Sequence, residues 1–160
     1  MAHLVLVQLV QKIQLDKKKK DEKMLKVLVV DDSLIIRKKI TNLLEKLGHD
    51  VVLSVTNGQE AIDGYNKVKP DLVTMDITMP DMDGITAVKN IIKDNADAKI
   101  IMVTSHGQED MVIKSIQAGA VGYMLKPITE DKLASSIGEV FIEYAVDEED
   151  DDLDILEDEI

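Results

Sequence analysis

Two adjacent carboxylates, Asp31 and Asp32, come directly after an apolar run that covers residues 26–30. The run is short and rich in β-branched residues, which predicts a buried parallel strand, and Ser33 is placed to begin the next helix. In open α/β sheets, ligands bind in the crevice outside the carboxyl ends of the strands. Because neighbouring carboxylates repel each other unless a cation or a proton neutralises them, the pair predicts a cation site.

Three further apolar runs end in polar residues of complementary chemistry. Asp76 follows the run at residues 72–75, Thr104 and Ser105 follow the run at 99–103, and Lys126 follows the run at 121–125. Three converging carboxylates suit a hard cation such as Mg²⁺, which prefers oxygen ligands. A cation, a hydroxyl and an ammonium group can neutralise phosphoryl oxygens while a carboxylate attacks the phosphorus in line. The set therefore predicts phosphoryl transfer.

The elements that must position these residues alternate regularly along the chain. Helical spacing of apolar residues separates the runs, and Asn57 with Glu60, Gly48, Gly119 and Thr129 mark helix ends. Strand–helix alternation implies a parallel sheet with right-handed crossovers and helices on both faces. The prediction is one doubly wound α/β domain with five strands and five helices. The five strands are expected at residues 26–30, 51–55, 72–75, 99–103 and 121–125.

Composition restricts the class of protein. With 160 residues, of which 45% are apolar, the chain can bury one core. It has no cysteine, which excludes disulfides, thiolate metal sites and cysteine nucleophiles. A net charge of −12 and an aromatic content of 2% argue against direct binding of nucleic acid.

The charge is concentrated at the two ends. Residues 1–24 carry six lysines against three acids, whereas residues 147–160 carry ten acids and no base. The first segment has the pattern of either a helix or an edge strand. The second is interpreted as a solvated tail, with an amphipathic docking peptide around Leu153 and Ile155 as the alternative.

Membrane attachment is not expected from this sequence. The lysines at 17–20 could favour an anionic membrane, but a solvated linker is the preferred interpretation. No stretch approaches the roughly 20 apolar residues that span a bilayer, and a signal peptide is not predicted. The expected compartment is the cytoplasm.

Four segments in series give the chain a resemblance to the receiver domains of bacterial response regulators, in particular to the CheY-like single-domain type. The resemblance covers residues 25–146 and implies a flavodoxin-like fold with strand order 2-1-3-4-5. Residues 1–24 would then be an N-terminal extension and residues 147–160 an acidic tail. The matching segments are Val27–Ser33, Met75–Gly84, Val103–Ser105 and Leu125–Pro127.

The resemblance implies a role for each site residue. Asp76 would accept a phosphoryl group from a histidine kinase, and Asp31 and Asp32 would hold Mg²⁺ together with Asp76 and the backbone carbonyl of Thr78. Lys126 would bind one phosphoryl oxygen, and the hydroxyl of Thr104 would bind another. The peptide bond between Lys126 and Pro127 is expected to be cis.

The resemblance also implies a switch and an output surface. Thr104 would move toward the phosphoryl group, and Tyr123 would fill the space that it leaves. Thr78, Ser105 and His106 would tune the lifetime of the acyl phosphate. The surface affected would comprise the domain's fourth helix, fifth strand and fifth helix, about residues 108–146.

Partners and alternatives follow from the same resemblance. A stand-alone receiver is expected to signal by protein binding, for example to a flagellar motor switch protein, with a phosphatase as a further partner. The alternative is a phosphorelay intermediate that passes its phosphoryl group to a histidine phosphotransfer protein. An enzyme is not predicted beyond self-catalysed phosphorylation and dephosphorylation, because a haloacid-dehalogenase-type phosphatase would need an acid where Thr78 stands. A pseudo-receiver without phosphorylation conflicts with the full set of acids.

Overall fold

The computed structural model describes residues 1–21 and 23–141. Its last helix, α6, is described over residues 130–141, so the predicted domain end at residue 146 and the acidic tail lie outside the described residues. The other elements are α1 (Ala2–Asp21), β1 (Lys26–Val30), α2 (Leu34–Lys46), β2 (Asp50–Val55), α3 (Gly58–Val68), β3 (Leu72–Met75), α4 (Gly84–Asp94), β4 (Ile100–Thr104), α5 (Glu109–Ala118) and β5 (Gly122–Leu125).

The five strands form one parallel sheet in the order β2-β1-β3-β4-β5. The predicted flavodoxin-like doubly wound fold is therefore confirmed, and each strand lies within one residue of its predicted bounds. The chain passes from β1 outward to β2 and then returns to β3 on the other side of β1. This reversal opens a crevice beyond the carboxyl ends of β1 and β3, where ligands bind in such folds.

Each face of the sheet carries its own buried cluster. Alternate residues of a strand point to opposite faces, so Leu28 packs with residues of α3, α4 and α5, whereas Val29 packs with residues of α2 and α6. Residues 27–30 are at most 1% exposed. Burial on both sides explains why these strands are continuous apolar runs rather than alternating ones.

Local signals in the sequence define the helix ends. The Ser33 hydroxyl accepts a hydrogen bond from the Ile36 N–H at the start of α2, and Asn57 accepts one from the Glu60 N–H at the start of α3. Gly48 and Gly119 adopt φ values of 89° and 113°, in the left-handed region that favours glycine after a helix.

The N-terminal segment is a helix, so the edge-strand alternative is wrong. Helix α1 has 20 residues and is not part of the sheet. Its side chains are exposed from residue 1 through residue 14. No helix among the described residues is long and apolar enough to cross a membrane. Since α1 comes before the five predicted helices, the domain's fourth and fifth helices are α5 and α6. The predicted output surface therefore comprises α5, β5 and α6.

Leu25 and Phe141, the last residue that the structure describes, lie at the same end of the sheet. Leu25 lies just before β1 and is 6% exposed, in the same buried cluster as Val140, and Phe141 packs against that cluster. Helix α6 follows β5 and runs back along the sheet, as the helix after a parallel strand does. Residues 25 and 141 are therefore both at the amino end of the sheet, opposite the crevice.

Candidate functional site

Three carboxylates meet at the carboxyl end of the sheet. Asp31 follows β1 and Asp76 follows β3, and the parallel pairing of these strands puts the two residues side by side. Asp31 is fully buried, Asp76 is 5% exposed and Asp32 is exposed. One oxygen from each lies within 4.8 Å of the other two. Three oxygen donors in this space, one of them open to solvent, fit Mg²⁺, which keeps several waters when it binds.

Lys126 provides the positive charge of the site. Its Nζ lies 2.8 Å from Oδ2 of Asp31 and 3.6 Å from Oδ2 of Asp76. The Lys126 N–H donates to the carbonyl oxygen of Thr104, 2.8 Å away, which fixes the end of β5 against β4. The Lys126–Pro127 peptide bond is cis. The ammonium group thus bridges two of the three carboxylates and leaves the third to solvent.

The main chain and side chains around Asp31 hold it in one orientation. Its Oδ1 accepts a hydrogen bond from the Ser33 N–H at 2.9 Å, while its Oδ2 accepts one from Lys126. Arg37 donates from Nη1 to the Asp31 carbonyl oxygen at 2.9 Å. Sequence reasoning missed Arg37, because a basic residue on the first turns of a helix is usually a solvated one.

Burial, together with the neighbouring carboxylates, raises the pKa of Asp76 from 3.8 to about 6. Burial is the largest cause, and the Asp31 carboxylate adds to it, while Lys126 opposes the shift. A further contribution in the raising direction comes from Asp32. A cation bound among the three carboxylates favours their ionised forms, which is the form in which Asp76 is a nucleophile.

Gly84 allows the main chain to close tightly behind Asp76. A Cβ atom at this position would clash with the carbonyl oxygen of Asp76 and would lie 2.9 Å from its carbonyl carbon. The Gly84 N–H donates to the carbonyl oxygen of Ile77 at 2.7 Å. Asp83 accepts from the Thr86 N–H as the N-cap of α4.

The remaining predicted residues lie on the two loops beside the cluster. Thr78 is exposed on the β3–α4 loop, and Ser105 and His106 are exposed on the β4–α5 loop. Thr104 is fully buried at the end of β4, and its hydroxyl oxygen accepts from the His106 N–H at 3.2 Å.

The main chain of His106 connects Thr104 with Tyr123. The Tyr123 hydroxyl donates to the carbonyl oxygen of His106, whose N–H donates to Thr104. The sequence suggested a role for the His106 side chain, whereas the contacts that the structure records are made by its backbone. A backbone contact of this kind leaves no signature in residue type, so sequence reasoning could not find it.

The fold and this arrangement of strand-end residues define a receiver domain. A model of the response regulator receiver domain family matches residues 27–138, and the chain belongs to this family. It is similar to the chemotaxis protein CheY of Bacillus subtilis, at 47% identity over 112 residues that cover 70% of this chain and 93% of that protein. It is also similar to the chemotaxis protein CheY of Thermotoga maritima, at 43% identity over 115 residues, 72% of this chain and 96% of that protein.

Solved structures agree with this assignment. The chain superimposes on a chain of the CheX–CheY–BeF3–Mg complex from Borrelia burgdorferi with a TM-score of 0.71 and 35% identity. The superposition covers 72% of this chain and 88% of that one. These similarities place the protein among CheY-like response regulators of two-component signalling.

Proposed function

We propose that the protein accepts a phosphoryl group on Asp76 from a phosphohistidine of a sensor kinase, with Mg²⁺ bound beside it. The observation that carries the proposal is the Asp76 carboxylate itself, which lies among two other carboxylates and 3.6 Å from Lys126. An Asp76 oxygen attacks phosphorus, the P–N bond breaks, and its electron pair stays on the imidazole nitrogen. The kinase histidine leaves as neutral imidazole once it takes up a proton.

Each neighbour of Asp76 has a role in this reaction. Asp31, Asp32 and the Thr78 carbonyl oxygen are the further ligands of Mg²⁺, which neutralises charge on the phosphoryl oxygens. Lys126 binds one of those oxygens through its ammonium group, exchanging part of its contact with Asp31. Ser33 and Arg37 keep Asp31 in place while that exchange occurs.

The signal is read on the surface of α5, β5 and α6. Thr104 donates its hydroxyl hydrogen to the phosphoryl group, and Tyr123 moves into the space that Thr104 leaves, which is a population shift between two packings. Large apolar residues are exposed on this surface, as a protein-binding site requires. Four such residues are Ile113, Ile116, Val121 and Leu125, at 44–61% exposure.

The partners follow from this surface and from the relatives. A histidine kinase supplies the phosphoryl group, and a flagellar motor switch protein or another target binds the phosphorylated form. A phosphatase ends the signal. The complex of the Borrelia burgdorferi CheY with CheX supports the binding of a further protein partner. Residues 25–146 form the signalling domain in the cytoplasm, and the segments on either side are extensions of it.

One experiment tests the acceptor. The protein is incubated with acetyl phosphate and Mg²⁺, and the mass of the intact chain is measured for the native sequence and for Asp76→Ala. We expect one added phosphoryl group that is absent from the variant and from samples with EDTA. The matched control is Asp63→Ala, which removes an exposed carboxylate on α3 and should leave labelling unchanged. Labelling that persists in Asp76→Ala contradicts the assignment.

A second experiment tests the output. Binding of the phosphorylated protein to a flagellar motor switch protein is compared with phosphoryl transfer to a histidine phosphotransfer protein. Phosphorylation-dependent binding to the switch protein supports the chemotaxis role, whereas rapid transfer without such binding indicates a phosphorelay. Ile116→Asp, on the exposed side of α5, should weaken binding and leave labelling of Asp76 intact.

A further inference from the structure

Helix α1 exposes an apolar surface that the rest of the described chain does not cover. Ala2, Leu6, Leu9 and Ile13 recur at the spacing of one helical face, with Val5 and Val10 beside them. Most helical stability in proteins comes from packing of such a face rather than from intrinsic propensity. The surface therefore needs an occupant. Its large apolar side chains are Leu4, Val5, Leu6, Val7, Leu9, Val10 and Ile13, at 39–64% exposure.

The two ends of the chain have complementary patterns in mirrored order. Going outward from the folded domain, the N-terminal segment presents lysines at 17–20 and then the apolar stretch 4–15. Going outward in the other direction, the tail presents acids at 147–152 and then four apolar residues interspersed with four acids. Those apolar residues are Leu153, Ile155, Leu156 and Ile160. An antiparallel pairing would match basic with acidic and apolar with apolar.

The two ends also start from the same place. Leu25 directly precedes β1, and α6 runs back along the sheet after β5, so Leu25 and Phe141 both lie at the amino end of the sheet. The five residues between 141 and 147 allow a span of at most about 20 Å, and the 14 residues of the tail at most about 45–50 Å. Helix α1 is about 30 Å long. The tail therefore has enough length to lie along the whole of α1.

We propose that residues 147–160 bind the apolar face of α1 in the same chain, with the acidic run beside the lysine run. A covalently attached segment acts at an effective concentration in the millimolar range, well above that of a second copy in dilute solution. A parallel pair of α1 helices would place the two lysine runs beside each other, which is repulsive. An anionic membrane would attract the lysines at 17–20 but repel the ten acids at 147–160 of the same chain.

The pairing makes a clasp at the end of the molecule opposite Asp76. It neither contacts the carboxylate cluster nor uses its chemistry, so it stands independently of the proposed function. In the clasped state the acidic tail is held at the amino end of the sheet, away from the carboxyl end where the phosphoryl group binds. Phosphorylation by acetyl phosphate should therefore proceed equally in clasped and unclasped chains.

Hydrogen exchange in the full-length chain tests the clasp. Protection of the amides at residues 4–13 is measured in four proteins. They are the native chain, a variant with charge reversal at residues 17–20 (the arm reversal), a variant with charge reversal in the tail (the tail reversal), and a variant that combines both reversals. We expect protection to fall about tenfold in each single reversal and to return in the double reversal. About 1 M salt should lower it in the native chain, because the Debye length falls to about 3 Å. The arm reversal is Lys17→Glu, Lys18→Glu, Lys19→Glu and Lys20→Glu, and the tail reversal is Asp147→Lys, Asp150→Lys, Asp151→Lys and Asp152→Lys.

Controls separate the clasp from the other occupants and from misfolding. Lys38→Glu with Lys39→Glu, on the exposed side of α2, changes charge elsewhere and should leave protection of α1 unchanged. Urea unfolding followed by circular dichroism reports whether each variant is folded. Protection that rises with protein concentration assigns the face to a second copy, and protection that needs anionic vesicles assigns it to a membrane. Either result overturns the proposal, as does equal protection in all four proteins or a double reversal that fails to restore it.

Discussion

Neutralising the acceptor should stabilise the metal-free protein. The environment of Asp76 raises its pKa from 3.8 to about 6, chiefly through burial and the neighbouring Asp31. At about 1.4 kcal/mol per pH unit, the ionised carboxylate destabilises the folded state by about 3 kcal/mol at neutral pH. Water at the open rim of the site reduces this figure. We therefore expect Asp76→Asn to raise the free energy of unfolding by about 1–3 kcal/mol in EDTA.

The sign of the pH dependence follows from the direction of that shift. The folded state holds the Asp76 proton more tightly than the unfolded state does, so this group favours folding most below pH 3.8. The advantage is lost as the pH rises toward about 6 and is absent above it. The difference between variant and native protein should consequently be small near pH 4 and reach its full value near pH 7. Mg²⁺ should reduce it, because the native protein binds the ion more tightly.

Urea unfolding over this range of pH, with EDTA and with Mg²⁺, measures the effect. The control is Asp63→Asn, which removes one exposed charge on α3 and should change stability by less than about 0.5 kcal/mol. Stability curves of the native protein and Asp76→Asn that stay parallel from pH 4 to pH 7 in EDTA would refute the reasoning. So would a larger gain for the variant in Mg²⁺ than in EDTA.

Three other substitutions test the walls of the site. Gly84→Ala should lower the free energy of unfolding in urea by about 3 kcal/mol, because its Cβ would meet the backbone of Asp76. The control is Gly138→Ala, which has open space around it and should be neutral or stabilising. Equal effects of the two substitutions would contradict the steric argument. Lys126→Met should slow labelling by acetyl phosphate and cost about 3 kcal/mol, since it leaves a buried carboxylate unpaired; labelling at the native rate would exclude the proposed role. Tyr123→Phe should cost only about 1 kcal/mol by removing one hydrogen bond. A loss above about 3 kcal/mol would contradict this, because it would show that the hydroxyl contributes more than one hydrogen bond.

The sequence was sufficient for the fold because its signals are local and consistent. Continuous apolar runs such as residues 26–30 identified strands that are buried on both faces. Ser33 and Gly48 marked the two ends of α2, the helix between the first two strands. Since parallel strands align their carboxyl ends, residues that follow different strands had to meet. This argument alone predicts that Asp31 and Asp76 lie side by side, as they do in the structure.

Two kinds of feature could not be predicted from the sequence. One depends on contacts between backbone segments that are distant along the chain, and the other concerns helices whose sides are similarly apolar. Gly84 is required because the Asp76 carbonyl approaches it, a fact that residue type does not encode. Helix α1 has apolar residues on several sides, so periodicity could not separate a helix from a strand there. On α5, Ile116 has the spacing of a core residue, yet it is 61% exposed, while Ser115 is buried and donates to the Met111 carbonyl.

The separation between the two ends of the sheet has a consequence for how such a protein can change. The first strand has five residues and is about 16 Å long, and this distance divides the carboxylate cluster from the point where both terminal segments join. Segments attached there can be lengthened, recoded or replaced without retuning the acceptor. The carboxylate cluster therefore lies at one end of the sheet, about the length of a strand away from the end where Leu25 and Phe141 lie.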